Sequence, residues 1–207
     1  MAPACWGKLV HGFRLNMGSE SFFAPPRTVV LVGMMGAGKT SIGRRLAARL
    51  GVPFIDADAE IEQAAGSSIA DIFSRHGEEA FRDGERRVIS RLLDGPVHVM
   101  ATGGGAFLDE DTHNLIKNNA ISVWLRASLE TLAMRLEKSR TPRPLLENEG
   151  DLRTTLARFI DERHPVYKKA HIVVETGDGP HDPVVDAVYD ALQIFLDEEK
   201  PKHSAQK

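Results

Sequence analysis

One cysteine, Cys5, in 207 residues excludes an internal disulfide and suits a reducing cytoplasm. Charge of one sign is not in excess either: 26 Lys and Arg against 29 Asp and Glu leave a formal charge of −3. Without a global basic field, nucleic acid is not expected as a partner. No apolar run approaches the roughly 18 residues that a membrane helix needs, so no membrane association is expected. The first 26 residues lack a continuous apolar segment and do not read as a signal peptide. They also lack periodicity and close on Ala24-Pro25-Pro26, so 1–26 is expected to be a disordered extension, with Met17 as an alternative start. None of the eight histidines has metal-ligand spacing, and His164 and His171 read as packing residues. Internal repeats and coiled-coil heptads are also missing.

What is present is one domain's worth of alternating pattern. A hydrophobic fraction of 42% is ample for a core. Short apolar, β-rich runs at 28–32, 53–55, 97–102, 121–125 and 171–174 alternate with helical stripes, which predicts α/β with a parallel sheet. Four of these runs are apolar on both faces, as a sheet covered by helices requires. Ile42, Leu46 and Leu50 form one stripe with Gly51 as C-cap. Phe81, Val88, Ile89 and Leu92 mark a second helix, and Leu129, Leu132, Ala133 and Leu136 a third. Asp182-Pro183 opens the last helix, with Asp182 as the expected N-cap. The folded unit is expected over 27–196, with 197–207 a charged flexible tail. Residues 139–151 carry Arg140 and Arg143 among prolines and a glycine, and long patternless loops are often lids.

Gly33-Met34-Met35-Gly36-Ala37-Gly38-Lys39-Thr40 fits the phosphate-binding pattern G-x-x-x-x-G-K-[ST] at every position. Glycines let the loop curl so that backbone N–H groups face a phosphate. Lys39 brings a point charge to the β- and γ-phosphates, and Thr40 offers a hydroxyl to Mg²⁺. The helix starting near Lys39 adds its positive end. Both flanks agree, with a β-rich run before and an amphipathic stripe after.

Three further features bear on what else binds. Asp56 and Asp58 follow the second strand, two apart, so that in an extended segment both carboxylates would face the cleft. One could hold Mg²⁺ through water and the other accept a proton; acids decorating a helix start is the plainer reading. Gly103-Gly104-Gly105 follows the third strand, where a ligand can approach backbone closely, or where the chain simply turns. Arg82 borders a buried face and Arg163 lies near His164-Pro165; a guanidinium fork suits a carboxylate, though each also fits a surface ion pair.

Together, the Gly33–Thr40 loop, Phe54-Ile55-Asp56-Ala57-Asp58, Phe81-Arg82 with Glu85, Thr102–Gly105, Arg143-Pro144-Leu145-Leu146 and Glu162-Arg163 with Pro165 and Tyr167 resemble the shikimate kinase family. The resemblance runs from about Thr28 to Leu196. It implies a three-layer P-loop fold with a five-stranded parallel sheet in order 2-3-1-4-5 and a lid. It also implies ATP-dependent phosphorylation of the 3-hydroxyl of shikimate, in chorismate and aromatic amino acid biosynthesis, by a cytoplasmic monomer using Mg²⁺. ATP would be held by Gly33, Gly36, Ala37, Gly38, Lys39, Thr40 and Ser41. Arg143 would close over the phosphates, Arg135 or Arg140 would stack on adenine, and Pro183 would pack on its other side. Thr40 and Asp56 would serve Mg²⁺. Asp58 would bind the ring hydroxyls and act as base. Arg82 and Arg163 would hold the carboxylate, Glu85 would orient Arg82, and Gly103, Gly104 and Gly105 would lie against the acceptor. Lys39, Asp58 and Arg143 are thus the expected catalytic groups. A kinase for gluconate or a nucleoside monophosphate, or a non-catalytic nucleotide-binding module, is the alternative reading.

Overall fold

A computed structural model describes residues 23–138 and 151–200. Five strands form one parallel sheet: β1 (Val29–Val32), β2 (Phe54–Asp56), β3 (Val99–Ala101), β4 (Ile121–Ala127) and β5 (Ile172–Thr176). Their spatial order is β2-β3-β1-β4-β5, the order the family resemblance implies. Val29 sits in register with both Val99 and Ile121, so β1 is the centre of the sheet. All four β1 residues are buried, as a strand covered on both faces demands. At the edge, β5 alternates buried and exposed residues.

The helices are α1 (Lys39–Leu50), α2 (Ala57–Ala65), α3 (Ile69–Leu93), α4 (Glu110–Asn119), α5 (Leu129–Glu137), α6 (Leu152–Tyr167) and α7 (Asp182–Glu199). The chain leaves β1 toward β2 in one direction and β3 toward β4 in the other. Right-handed crossovers therefore put α1 and α4 on opposite faces. Ile42, Leu46 and Leu50 of α1 are buried, and the helix packs against α7. Each of those leucines contributes roughly 2 kcal/mol by burial.

The chain ends depart from expectation. The last helix runs to Glu199, three residues past 196, the expected end of the folded unit. Its N-cap is His181, not Asp182; Asp182 is the first helical residue and pairs with Arg45 at 3.3 Å. Before β1, Pro25 is buried, and Phe23 packs edge-on against Tyr189 of α7. Arg27 pairs with Glu199. The described unit therefore starts before 27, because these side chains cover the flank of α7. Residues 1–22 and 201–207 of the expected extension and tail, and 139–150 of the expected lid, lie outside the described residues. Among the described residues, no helix is long and apolar enough to cross a membrane.

Candidate active site

The carboxyl ends of β1, β2 and β3 open into one cleft of about 1030 Å³, the place where open parallel sheets bind ligands. That volume is at the upper end for a single small ligand. It leaves room for a nucleotide and a small acceptor side by side.

The loop after β1 forms one wall. Gly36, Gly38, Lys39, Thr40 and Ser41 line the cleft, whereas Ala37 turns inward and Gly33 is buried behind the loop. Gly38 is the N-cap of α1 at φ +94°, left-handed backbone that side chains rarely adopt. The Lys39 ammonium donates to the carbonyls of Gly33 at 2.8 Å and Met34 at 3.0 Å, which holds it over the loop. Arg135 also lines the cleft, and its guanidinium donates to the carbonyls of Gly36 at 3.0 Å and Gly177 at 2.5 Å. It ties the phosphate loop to the β5–α7 connection. Arg140 and Arg143 fall outside the described residues.

Across the cleft stand the two acids, in a different geometry from that expected. Asp56 ends β2, but Asp58 is already inside α2, not two residues along an extended segment. The cause is capping: the Asp58 backbone N–H donates to the Asp56 carboxylate at 3.2 Å, which turns the chain into a helix at once. Both carboxylates still line the cleft. The Thr40 hydroxyl donates to Asp56 at 3.0 Å, so a hydroxyl and a carboxylate oxygen stand together, a donor set suited to a hard cation. Burial pushes the Asp58 carboxyl above its ordinary value, the Asp56 charge adds to the push, and the Lys39 ammonium opposes it.

The glycine turn closes the far end. A Cβ on Gly103 would come within 2.8 Å of an Asp58 carboxylate oxygen and 3.4 Å of Glu85, and one on Gly105 would overlap the Arg82 guanidinium. The turn is glycine because the side chains of Asp58, Glu85 and Arg82 occupy that space. Arg82 pairs with Glu85 at 2.6 Å and Glu78 at 3.2 Å. Arg82, Glu85 and Arg163 do not line the cleft directly. Arg82 and Glu85 stand behind the turn, while Arg163 stacks on Phe159 at 4.0 Å and has a buried Nη1 with no partner.

A model of the shikimate kinase family matches residues 35–193. The chain belongs to the shikimate kinase family. It is 55% identical over 174 residues to a shikimate kinase of Paramagnetospirillum magneticum, covering 84% of this chain and 88% of that one. It is 54% identical over 170 residues to one of Rhodopseudomonas palustris, covering 82% and 83%. Among solved structures, a shikimate kinase from Acinetobacter baumannii in complex with shikimate superimposes with a TM-score of 0.75, at 36% identity, covering 83% of this chain and 94% of that one. Family membership and the cleft together make the chain a P-loop small-molecule kinase.

Several lining residues had no role assigned from the sequence: Glu62, Ser68, Ile69, Ala70 and His181, and also Met35 and Thr102, which stood only as members of their motifs. A signal existed for one group: Ser68 followed by Asp71 is a helix-start pattern, and Ser68 indeed caps α3 by accepting the Asp71 N–H at 3.1 Å. Pro183 sits exposed in the first turn of α7, outside the cleft lining, where the preceding His181 enters instead.

Glu85 gives a pH prediction. Burial pushes its carboxyl from 4.5 to about 7, although Arg82 opposes the rise. A carboxyl with a raised folded value favours folding while protonated. Its contribution is therefore complete below 4.5 and lost as pH rises through about 7. The stability of the wild type relative to Glu85→Gln is expected to fall by up to about 3 kcal/mol across that interval. Urea denaturation of both proteins at a series of pH values measures it. Parallel stability curves would show that Glu85 stays ionised throughout.

Proposed function

We propose that the protein transfers the γ-phosphate of ATP to the 3-hydroxyl of shikimate, giving shikimate 3-phosphate for aromatic amino acid biosynthesis. The observation that carries this reading is one cleft lined by Lys39 and Thr40 on one side and Asp58 on the other, ending at a glycine turn backed by Arg82. A polyol with a carboxylate fits that order: hydroxyls toward Asp58, carboxylate toward the arginines. The identities to shikimate kinases support the same acceptor.

Phosphoryl transfer asks the protein mainly for positioning and charge neutralisation. Backbone N–H groups of the 33–40 loop and the start of α1 hold the β-phosphate, and Lys39 reaches the β- and γ-oxygens. Thr40 and Asp56 would hold Mg²⁺, which would supply positive charge to the phosphate oxygens. Asp58 orients the acceptor hydroxyl and takes its proton as the oxygen bonds to the γ-phosphorus and the bond to the bridging oxygen of ADP breaks. Arg143 belongs on the transferring phosphate by its place in the Arg-Pro-Leu-Leu motif, and Arg135 by the adenine. Closing the site keeps water from competing as acceptor. All groups named lie on one chain, so a monomer suffices, and the lone cysteine suits a cytoplasmic setting.

The test is ADP release with Mg-ATP and a panel of acceptors. Turnover with shikimate is expected, and turnover with gluconate or a nucleoside monophosphate in its place would overturn the acceptor assignment. Tight ATP binding without turnover on any acceptor would favour a binding module. Arg163→Ala is expected to raise the KM for shikimate roughly tenfold to a hundredfold with a smaller effect on kcat, since a bidentate carboxylate contact is lost. Steady-state kinetics with shikimate varied measures this, and an unchanged KM would remove Arg163 from the acceptor subsite.

A further inference from the structure

Tyr167 closes α6, and its side chain is fully buried. Its ring leans on Trp124 of β4 with centroids 5.9 Å apart. The hydroxyl does not end in this apolar packing. It donates to the carbonyl of Gly104, at the middle of the glycine turn and 63 residues away in sequence. Burial pushes the phenol up to about 12, with Arg163 opposing, so the group is a neutral donor at any working pH. Arg163 lies one helical turn before Tyr167, so the two share a face of α6, and the Arg163 charge acts on the phenol. Arg82 reaches the same turn from the other side, against Gly105. One hydroxyl thus joins the helix that carries Arg163 to the turn that Arg82 supports.

We propose that Tyr167 is a positioning residue of the acceptor subsite: its hydroxyl pins the Gly104 carbonyl and steadies Arg163, so that the glycine turn and both guanidinium groups present one preformed surface to the carboxylate of the acceptor. This rests on the reading of shikimate as acceptor. A neutral hydroxyl suits the task, because a charge there would compete for the arginines. The unpartnered Nη1 of Arg163 fits the same picture, since a buried donor without a partner is costly unless an acceptor arrives.

Tyr167→Phe keeps the ring and removes only the donor. It is expected to raise the KM for shikimate about tenfold while leaving the KM for ATP within about twofold. In an Arg163→Ala background the same substitution is expected to add less than about twofold, because its effect passes through that guanidinium. A lower unfolding temperature with both KM values unchanged would reduce Tyr167 to a packing residue and overturn the proposal. A second measurement does not depend on that variant folding. The chain has 2 tyrosines, so 3-fluorotyrosine labelling gives two fluorine resonances, assigned with Tyr189→Phe. Shikimate is expected to move the Tyr167 resonance and not that of Tyr189; a Tyr167 resonance indifferent to saturating shikimate would overturn the proposal. Wild-type turnover separates the two levels: shikimate turnover with an unaffected Tyr167→Phe defeats this proposal alone, and no turnover of shikimate by the wild type defeats the acceptor reading and this with it.

Discussion

Replacing Lys39 by methionine is expected to leave a folded protein whose kcat with shikimate and Mg-ATP is at least about a thousandfold lower. The ammonium is the positive side chain that the phosphate loop itself brings into the cleft, fixed by two carbonyls of that loop. Charge developing on the transferring phosphoryl group meets this fixed cation in a partly dehydrated site, where it counts for more than in water. Methionine preserves much of the length and removes the charge. The part-buried hydrogen bonds to Gly33 and Met34 disappear as well, so the unfolding temperature is expected to fall by no more than about 5 °C. Stopped-time ADP assays and thermal unfolding on the same preparation check both halves. Residual activity within tenfold of the wild type would mean that Lys39 only helps to bind nucleotide.

Asp58→Asn is the second large effect: a fall in kcat of about a hundredfold to ten-thousandfold. Asparagine keeps the shape and can still hydrogen-bond the acceptor, but it cannot take a proton. Burial and the Asp56 charge hold the Asp58 carboxyl above its ordinary value, which makes it a better proton acceptor, while the Lys39 ammonium opposes the rise. The substitution also relieves crowding of like charge beside Asp56, so stability is expected to hold or rise slightly. Kinetics at saturating shikimate isolate the chemical step from binding. If Asp58→Asn loses only affinity for shikimate with kcat intact, its role is orientation of the hydroxyls without proton transfer.

These two side chains illustrate what the linear pattern can carry. Lys39 is legible from its own loop: eight contiguous residues between a strand and a helix define the curl, the backbone donors and the charge. The strand and helix alternation is local in the same sense, so the sheet class could be read from short apolar runs. Its strand order came with the family resemblance. Asp58 was legible as a residue and misplaced as geometry. The Asp56 cap that turns the chain into α2 is a local contact, but nothing in the run Phe54–Asp58 says where the strand must stop. Arg135 shows the converse. Sequence spacing left its partner open, and the fold gave it carbonyls 99 and 42 residues away.

The sequence by itself determined the nucleotide half of this protein, because a phosphate is recognised mainly by backbone within one short loop. For the acceptor half, the resemblance supplied the residues and only the tertiary structure decided how they pack together. Gly103, Glu85, Arg82 and Asp58 come from three separate elements, and what makes them a site is their shared lack of room: a missing Cβ, a carboxyl buried until it holds its proton to about 7, a guanidinium against a bare backbone. Burial is a property of the packed chain, and no single segment contains it.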